Sequence, residues 1–326
     1  MYMGVSTLVV NKYLRVLTII LSLIMLSGCV QNSKGINANR EDNMNFESLL
    51  EPMQKSSIRI AYELNTDKGC PVGSSKIGGK PDLPADFEWF YYKGESYDGI
   101  IERRPLSFLA HINCEEANKF DKDNLLPSKG MIYFFYELAS TTWGFDPNDK
   151  GSSRVYYYPG NISELKSTDF PSDLIEEYKL PEMSIVFSSK NELPDFEEFI
   201  EWHNEFGYDK WDAYDEARNK IIPESDEVSI NKLLGYANLI QGGMLLSCEE
   251  TSNGVYTGTT TEIPVDKLQQ YKENCTKWQL LFQLESIEAE NYEMLWGDVG
   301  RIYFYIMAED LLKLNFDNCW LILQCT

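Results

Sequence analysis

The chain has 326 residues, with 51 acidic against 29 basic side chains and a net charge of −22. A hydrophobic content of 43% and an aromatic content of 13% exclude a disordered stalk and support a packed globular protein. So acidic a body repels nucleic acid and anionic head groups, which excludes nucleic-acid binding and attachment to a membrane through a basic patch.

In chain order, Lys12 and Arg15 open a positive segment, and Val16 to Leu26 is apolar except for Thr18 and Ser22. Leu26-Ser-Gly-Cys29 follows, a small-residue site ending in cysteine. The run is too short for a permanent span, so residues 1–28 read as a lipoprotein signal peptide and Cys29 as the lipid attachment site. The mature chain then hangs from the cell membrane or outer membrane by acyl chains such as palmitate, on the extracytoplasmic face. Its 298 residues carry a net charge of −24, because Lys12 and Arg15 are the only charges removed.

Residues 29–45 are polar and Asn-rich, a flexible tether. Phe46, Leu49, Leu50 and Met53 have helical spacing, which predicts a first helix over Phe46 to Leu64. After Cys70-Pro-Val-Gly73 the pattern turns to short strands. Strands are expected at Arg154 to Tyr158, Met183 to Ser188, Gly243 to Cys248 and Cys319 to Cys325. Helices are expected at Pro194 to Phe206, Lys210 to Lys220 and Ala308 to Leu314. The stretch from Asn191 to Glu227 holds thirteen acids against Lys210, Arg218 and Lys220, an acidic helical insert. Glu197, Glu201 and Glu205 mark it as the place to meet a basic protein partner. Six cysteines follow Cys29, enough for three disulfides, yet no pair or regular spacing marks them.

The sequence echoes itself. Lys76-Ile-Gly-Gly79, the strand Pro105 to Asn113 and Gly130-Met-Ile-Tyr-Phe-Phe-Tyr136 recur in order. Their counterparts are Lys232-Leu-Leu-Gly235, Lys277 to Glu285 and Gly300-Arg-Ile-Tyr-Phe-Tyr-Ile306. The expected fold is therefore α+β, with antiparallel-rich sheets in two related halves (internal duplication) at about 70–190 and 228–326.

These stretches also carry a family resemblance. It rests on Lys76-Ile-Gly-Gly-Lys-Pro81, Pro105-Leu-Ser-Phe-Leu-Ala-His-Ile-Asn113, Leu126-Pro-Ser-Lys-Gly-Met-Ile-Tyr-Phe-Phe-Tyr136 and Trp143-Gly-Phe-Asp-Pro147. It continues in Gly242-Gly-Met-Leu-Leu-Ser-Cys248, Trp278-Gln-Leu-Leu-Phe-Gln283, Met294-Leu-Trp-Gly-Asp-Val-Gly-Arg-Ile-Tyr-Phe304 and Asn315-Phe-Asp-Asn-Cys-Trp-Leu321. The chain resembles the YwqG-like family, bacterial proteins sharing a domain of unknown function, over about residues 70–326. The resemblance implies a duplicated α+β domain and brings no reaction, cofactor or catalytic residue. The lipoprotein signal departs from the plain cytosolic members.

For chemistry, the chain offers two histidines. His111, inside an apolar strand, reads as a hydrogen-bonded core residue, and His203 as a solvated one. No nucleophile elbow, P-loop or zinc spacing is present, so no catalytic residue, metal or cofactor is assigned. Asp146, Asn148 and Gly151 half-match a calcium loop, but Lys150 and Tyr157 stand where ligands belong, so an Asx turn is expected. Trp143, Asp146 and Arg154, echoed by Trp296, Asp298 and Arg301, are the candidate lining of a cleft between the halves. The functional expectation is a non-catalytic protein-binding module, with toxin neutralisation as one version. The alternative is a hydrolase or glycan-binding protein using that cleft.

Overall fold

The computed structural model describes residues 45–64, 69–96, 98–203, 205–223, 229–259, 261–289 and 292–326. The signal peptide, Cys29, the tether up to residue 44 and the acids Glu224, Asp226 and Glu227 lie outside the described residues. Clustering of contacts separates residues 1–44 from a compact unit, Asn45–Thr326.

Ten strands make one antiparallel sheet: β1 (Lys55–Leu64), β2 (Lys76–Ile77), β3 (Ser107–Asn113), β4 (Met131–Tyr136), β5 (Ser153–Tyr158), β6 (Met183–Glu192), β7 (Lys232–Leu234), β8 (Trp278–Glu285), β9 (Arg301–Met307) and β10 (Trp320–Gln324). Their order across the sheet is β10-β9-β8-β7-β1-β6-β2-β3-β4-β5. The long pair β1 and β6 sits at the centre, and four strands from each side of the sequence flank it.

Strands β3 and β4 are buried along their whole length, which explains why both read as continuous apolar runs rather than alternating ones. Successive side chains go to different cores. Ile132, Phe134 and Tyr136 enter a central cluster with Phe282, Ile302 and Phe304, while Met131, Tyr133 and Phe135 join Phe87, Trp89 and Phe90 on the other face. The sheet curls on itself: the Phe134 ring lies 4.4 Å from that of Phe282, in the opposite half. Its two edges meet at a seam, where Leu323 N–H donates to Trp143 O (3.0 Å) and Trp320 Nε1–H to Gly144 O (2.8 Å).

The helices are α1 (Phe46–Leu50), α2 (Cys114–Ala117), α3 (Phe196–Trp202), α4 (Trp211–Ile221), α5 (Leu245–Ser252), α6 (Val265–Cys275) and α7 (Ala308–Leu312). Asn45 caps α1, and Phe46 and Leu50 pack with Phe196, Phe199 and Tyr214, so the acidic insert shares a small core with the start of the body. Helix α5 packs on the outer face of the second half, with Cys248 beside Tyr303 and Tyr305.

Three sequence expectations are corrected. The helix expected over Phe46–Leu64 stops at Leu50; after the turn Glu51–Met53, residues 55–64 form the sheet's central strand. Ile58 and Ile60 alternate into the core there, and the helical spacing upstream concealed that period. The strand expected at Gly243–Cys248 is mostly helix α5, because a short apolar run has the same appearance in a buried helix. Helix α6 has no counterpart among the expectations; its mostly polar surface hides the buried Tyr271 and Cys275. The thiols of Cys114, Cys248, Cys275, Cys319 and Cys325 are free. No helix among the described residues is long and apolar enough to cross a membrane.

Candidate functional site

Two buried lysines organise the sheet on either side of its centre. Lys76 pairs in register with His111, and Lys232 with Gln283. Six residues after each lysine, a backbone N–H is held by that partner: Asp82 N–H donates to His111 Nδ1 (3.4 Å) and Asn238 N–H to Gln283 Oε1 (2.9 Å). The carbonyls of Asp82 and Asn238 accept the hydroxyls of Tyr133 and Tyr303 respectively. Each lysine is followed by a left-handed pair, Gly78 and Gly79 (φ +62° and +65°) or Leu234 and Gly235 (φ +61° and +73°). A Cβ at Gly79 would meet Glu182 and one at Gly235 would meet Glu192, at 2.6 and 2.4 Å from a carboxylate oxygen. Glycine is required at both, so that a carboxylate can reach the lysine.

The chemistry of the two sites differs. Lys76 donates to Glu182 (2.8 Å) and lies 4.0 Å from Asp82. His111 is fully buried. Burial first, then Lys76, lowers its pKa to about 3, so the ring is neutral. Its Nδ1 accepts from Asp82, so Nε2 carries the proton and donates to Ser74 O (2.9 Å). Every ring nitrogen is used in holding the turn, which suits a structural role.

At the other site, Glu192 receives Lys232 (2.9 Å), Arg59 (2.7 Å), the Ser57 hydroxyl (2.8 Å) and Tyr236 N–H (2.9 Å). Burial pushes the Glu192 carboxyl up, but Lys232, Arg59 and the Tyr236 N–H together hold it below its usual value. Burial and the nearby Arg59 pull Lys232 down to about 8 against the opposing pull of Glu192. This site opens into a cavity of about 320 Å³ lined also by Lys190, Arg218 and Asn238.

The residues expected to line a cleft are dispersed. Trp296 is 1% exposed and packs on Tyr136 within the central core, and Trp143 packs half-buried against the same cluster. Their rings therefore fill the core and seam rather than line a ligand cleft. Asp146 forms the expected Asx turn, accepting from Asn148 N–H (2.8 Å). Asp298 is exposed, while Arg301 donates to Asn238 O (3.1 Å). Arg154 alone lines a cavity, of about 190 Å³, at the seam between the sheet edges; the tryptophans there are Trp278 and Trp320, with Asp149 and Asp310 opposite. Among the described residues no cluster of His, Cys, Asp and Glu is arranged to hold a metal.

The acidic insert also divides. Glu197 is half-buried and Glu205 is exposed, 3.3 Å from His203. Glu201 points inward, with burial first, and Glu250 with it, raising its pKa to about 7. Outside remain Glu205, Asp209, Asp212 and Glu216 around Tyr208 and Trp211, which are 64% and 37% exposed and stack at 6.1 Å.

The convergence of Arg59, Lys190, Arg218 and Lys232 escaped the sequence reading, because they come from four distant segments. The recurrence of a lysine-headed turn at 76 and 232 was the one available signal. A scan of protein families matches residues 75–325 to the family described as Domain of unknown function (DUF1963). No curated protein matches the chain.

Proposed function

The chain belongs to this DUF1963 family, and from that premise we propose that it is a lipid-anchored, extracytoplasmic, non-catalytic module that binds a basic protein. The observation that carries the reading is the exposed Tyr208–Trp211 stack ringed by Glu205, Asp209, Asp212 and Glu216. Aromatic anchors inside a charged rim are the usual energetic centres of protein interfaces, and the acid ring favours a cationic partner by steering and complementarity. Toxin neutralisation is the version in which that partner is a basic toxin. Anchoring rests on the residues 12–29 pattern, in which Cys29 receives the acyl chains.

The test uses the full-length chain in non-ionic detergent as bait on the envelope and secreted fractions. A single stoichiometric basic partner, released by salt and lost with Trp211→Ala, is the expected result. No such partner, or one retained equally by Trp211→Ala, overturns the reading. Labelled palmitate incorporated into the chain and lost on Cys29→Ser tests the anchor.

The proposal extends to the two halves, read as copies of one duplicated unit. The matched lysine sites support it, as do the single register shifts at equivalent places, between Phe108 and Ala110 and between Leu280 and Phe282. A second reading, a hydrolase or glycan-binding cleft between the halves, is favoured only by the seam cavity with Arg154, Trp278 and Trp320. Retention on peptidoglycan that Arg154→Ala abolishes would support it over the first.

A further inference from the structure

We infer that the cavity beside Lys232 binds a small phosphate-bearing molecule. Its wall brings together Arg59, Lys190, Arg218 and Lys232 in a chain whose net charge is −22. Two carboxylates face them among the described residues: Glu192, which serves Arg59 and Lys232, and Asp195, 3.0 Å from Arg218. Cations therefore outnumber carboxylates by two. In the matching site of the first half the balance is reversed, since Lys76 stands between Glu182 and Asp82. There, Asp82 occupies the place that Asn238 takes beside the cavity.

Gathering like charges in a partly dry pocket is unfavourable unless something offsets it. Arg59 is 11% exposed and Lys232 1%. Burial, and after it Arg59 and Arg218, depress the Lys190 ammonium, with Glu192 opposing. A doubly charged oxyanion removes that repulsion. Two guanidinium groups in one wall suit it further, because their planar forks match phosphoryl oxygens two at a time. Asn191, Asn219 and Asn238 add neutral polar groups at the wall. The volume, about 320 Å³, is at the small end of ligand sites and fits a phosphate monoester rather than a macromolecule.

Calorimetric titration of the full-length chain in non-ionic detergent, in a buffer free of phosphate, tests this with three probes: inorganic phosphate, glycerol phosphate and succinate. Saturable binding of phosphate or glycerol phosphate is expected, weakened at least about tenfold by Lys190→Gln and by Arg218→Gln. Both residues are part-exposed, and circular dichroism of each variant verifies that the fold is kept. The inference is overturned if neither phosphate probe binds at millimolar concentration, or if both variants bind as the parent does. Succinate binding as tightly as the phosphates overturns the phosphate assignment.

Discussion

Glu201 has a raised pKa because of where its side chain goes, not because of its many acidic neighbours. It lies under Gly243, beside Glu250, and accepts backbone N–H groups of Leu245 and Leu246 at the start of α5. Burial, Glu250 and the lack of a cation on it raise the carboxyl to about 7. Glu198, on the same helix and engaged with Lys55, is raised to about 8, burial again the main cause. A carboxyl whose folded pKa exceeds its unfolded value binds more protons when folded. Its contribution to stability is therefore full below about pH 4.5 and falls as pH rises toward 7. Glu201→Gln keeps an acceptor for the N–H groups and removes the titration. The variant is expected to lose a fall on the order of 2–3 kcal/mol across that window, read by urea unfolding at several pH values. An unchanged slope would show that Glu201 is not buried as described.

At the scale of elements, the seam between β5 and β10 depends on one backbone position. Gly144 has φ +81°, and a Cβ there would stand 1.9 Å from Leu321 O. Its own carbonyl accepts the Trp320 indole N–H, and its N–H donates to Asp149 (2.9 Å). Gly144→Ala adds a left-handed penalty and a clash with the edge strand, so a loss of at least about 2 kcal/mol is expected in denaturant. Trp320 fluorescence should shift as the seam loosens. The Trp-Gly-Phe-Asp stretch was visible in the sequence as something special, but its meaning was not. Trp143 and Trp296 proved to be packing groups, while Trp278 and Trp320, read only as strand residues, line the seam cavity. Strand identity was legible where both faces are apolar, as in β4. It was not legible at β1, where a helical turn precedes the strand, nor at α5, where an apolar run is too short to show a period.

At the scale of the molecule, the acidic total concealed a cationic interior. Arg59, Lys190, Arg218 and Lys232 lie on two central strands, a helix of the insert and the first strand of the second half, so only the folded sheet brings them together. No local pattern announces such a site. The same curl that builds it joins the halves through one aromatic core: Phe134 of β4 is fully buried against Phe282 of β8 and Phe304 of β9, at 4.4 and 5.2 Å. Neither half can close that core alone, and β1 and β6 at the centre pair with strands from both sides. The body should therefore unfold as one unit rather than half by half. Phe134→Ala opens a void shared by both halves and is expected to cost about 3–5 kcal/mol. If the halves are coupled as the core implies, calorimetry of this variant gives a single transition at lower temperature, with calorimetric and van't Hoff enthalpies still equal. A split into two transitions, with only the first-half transition lowered, would mean that the shared core does not couple them.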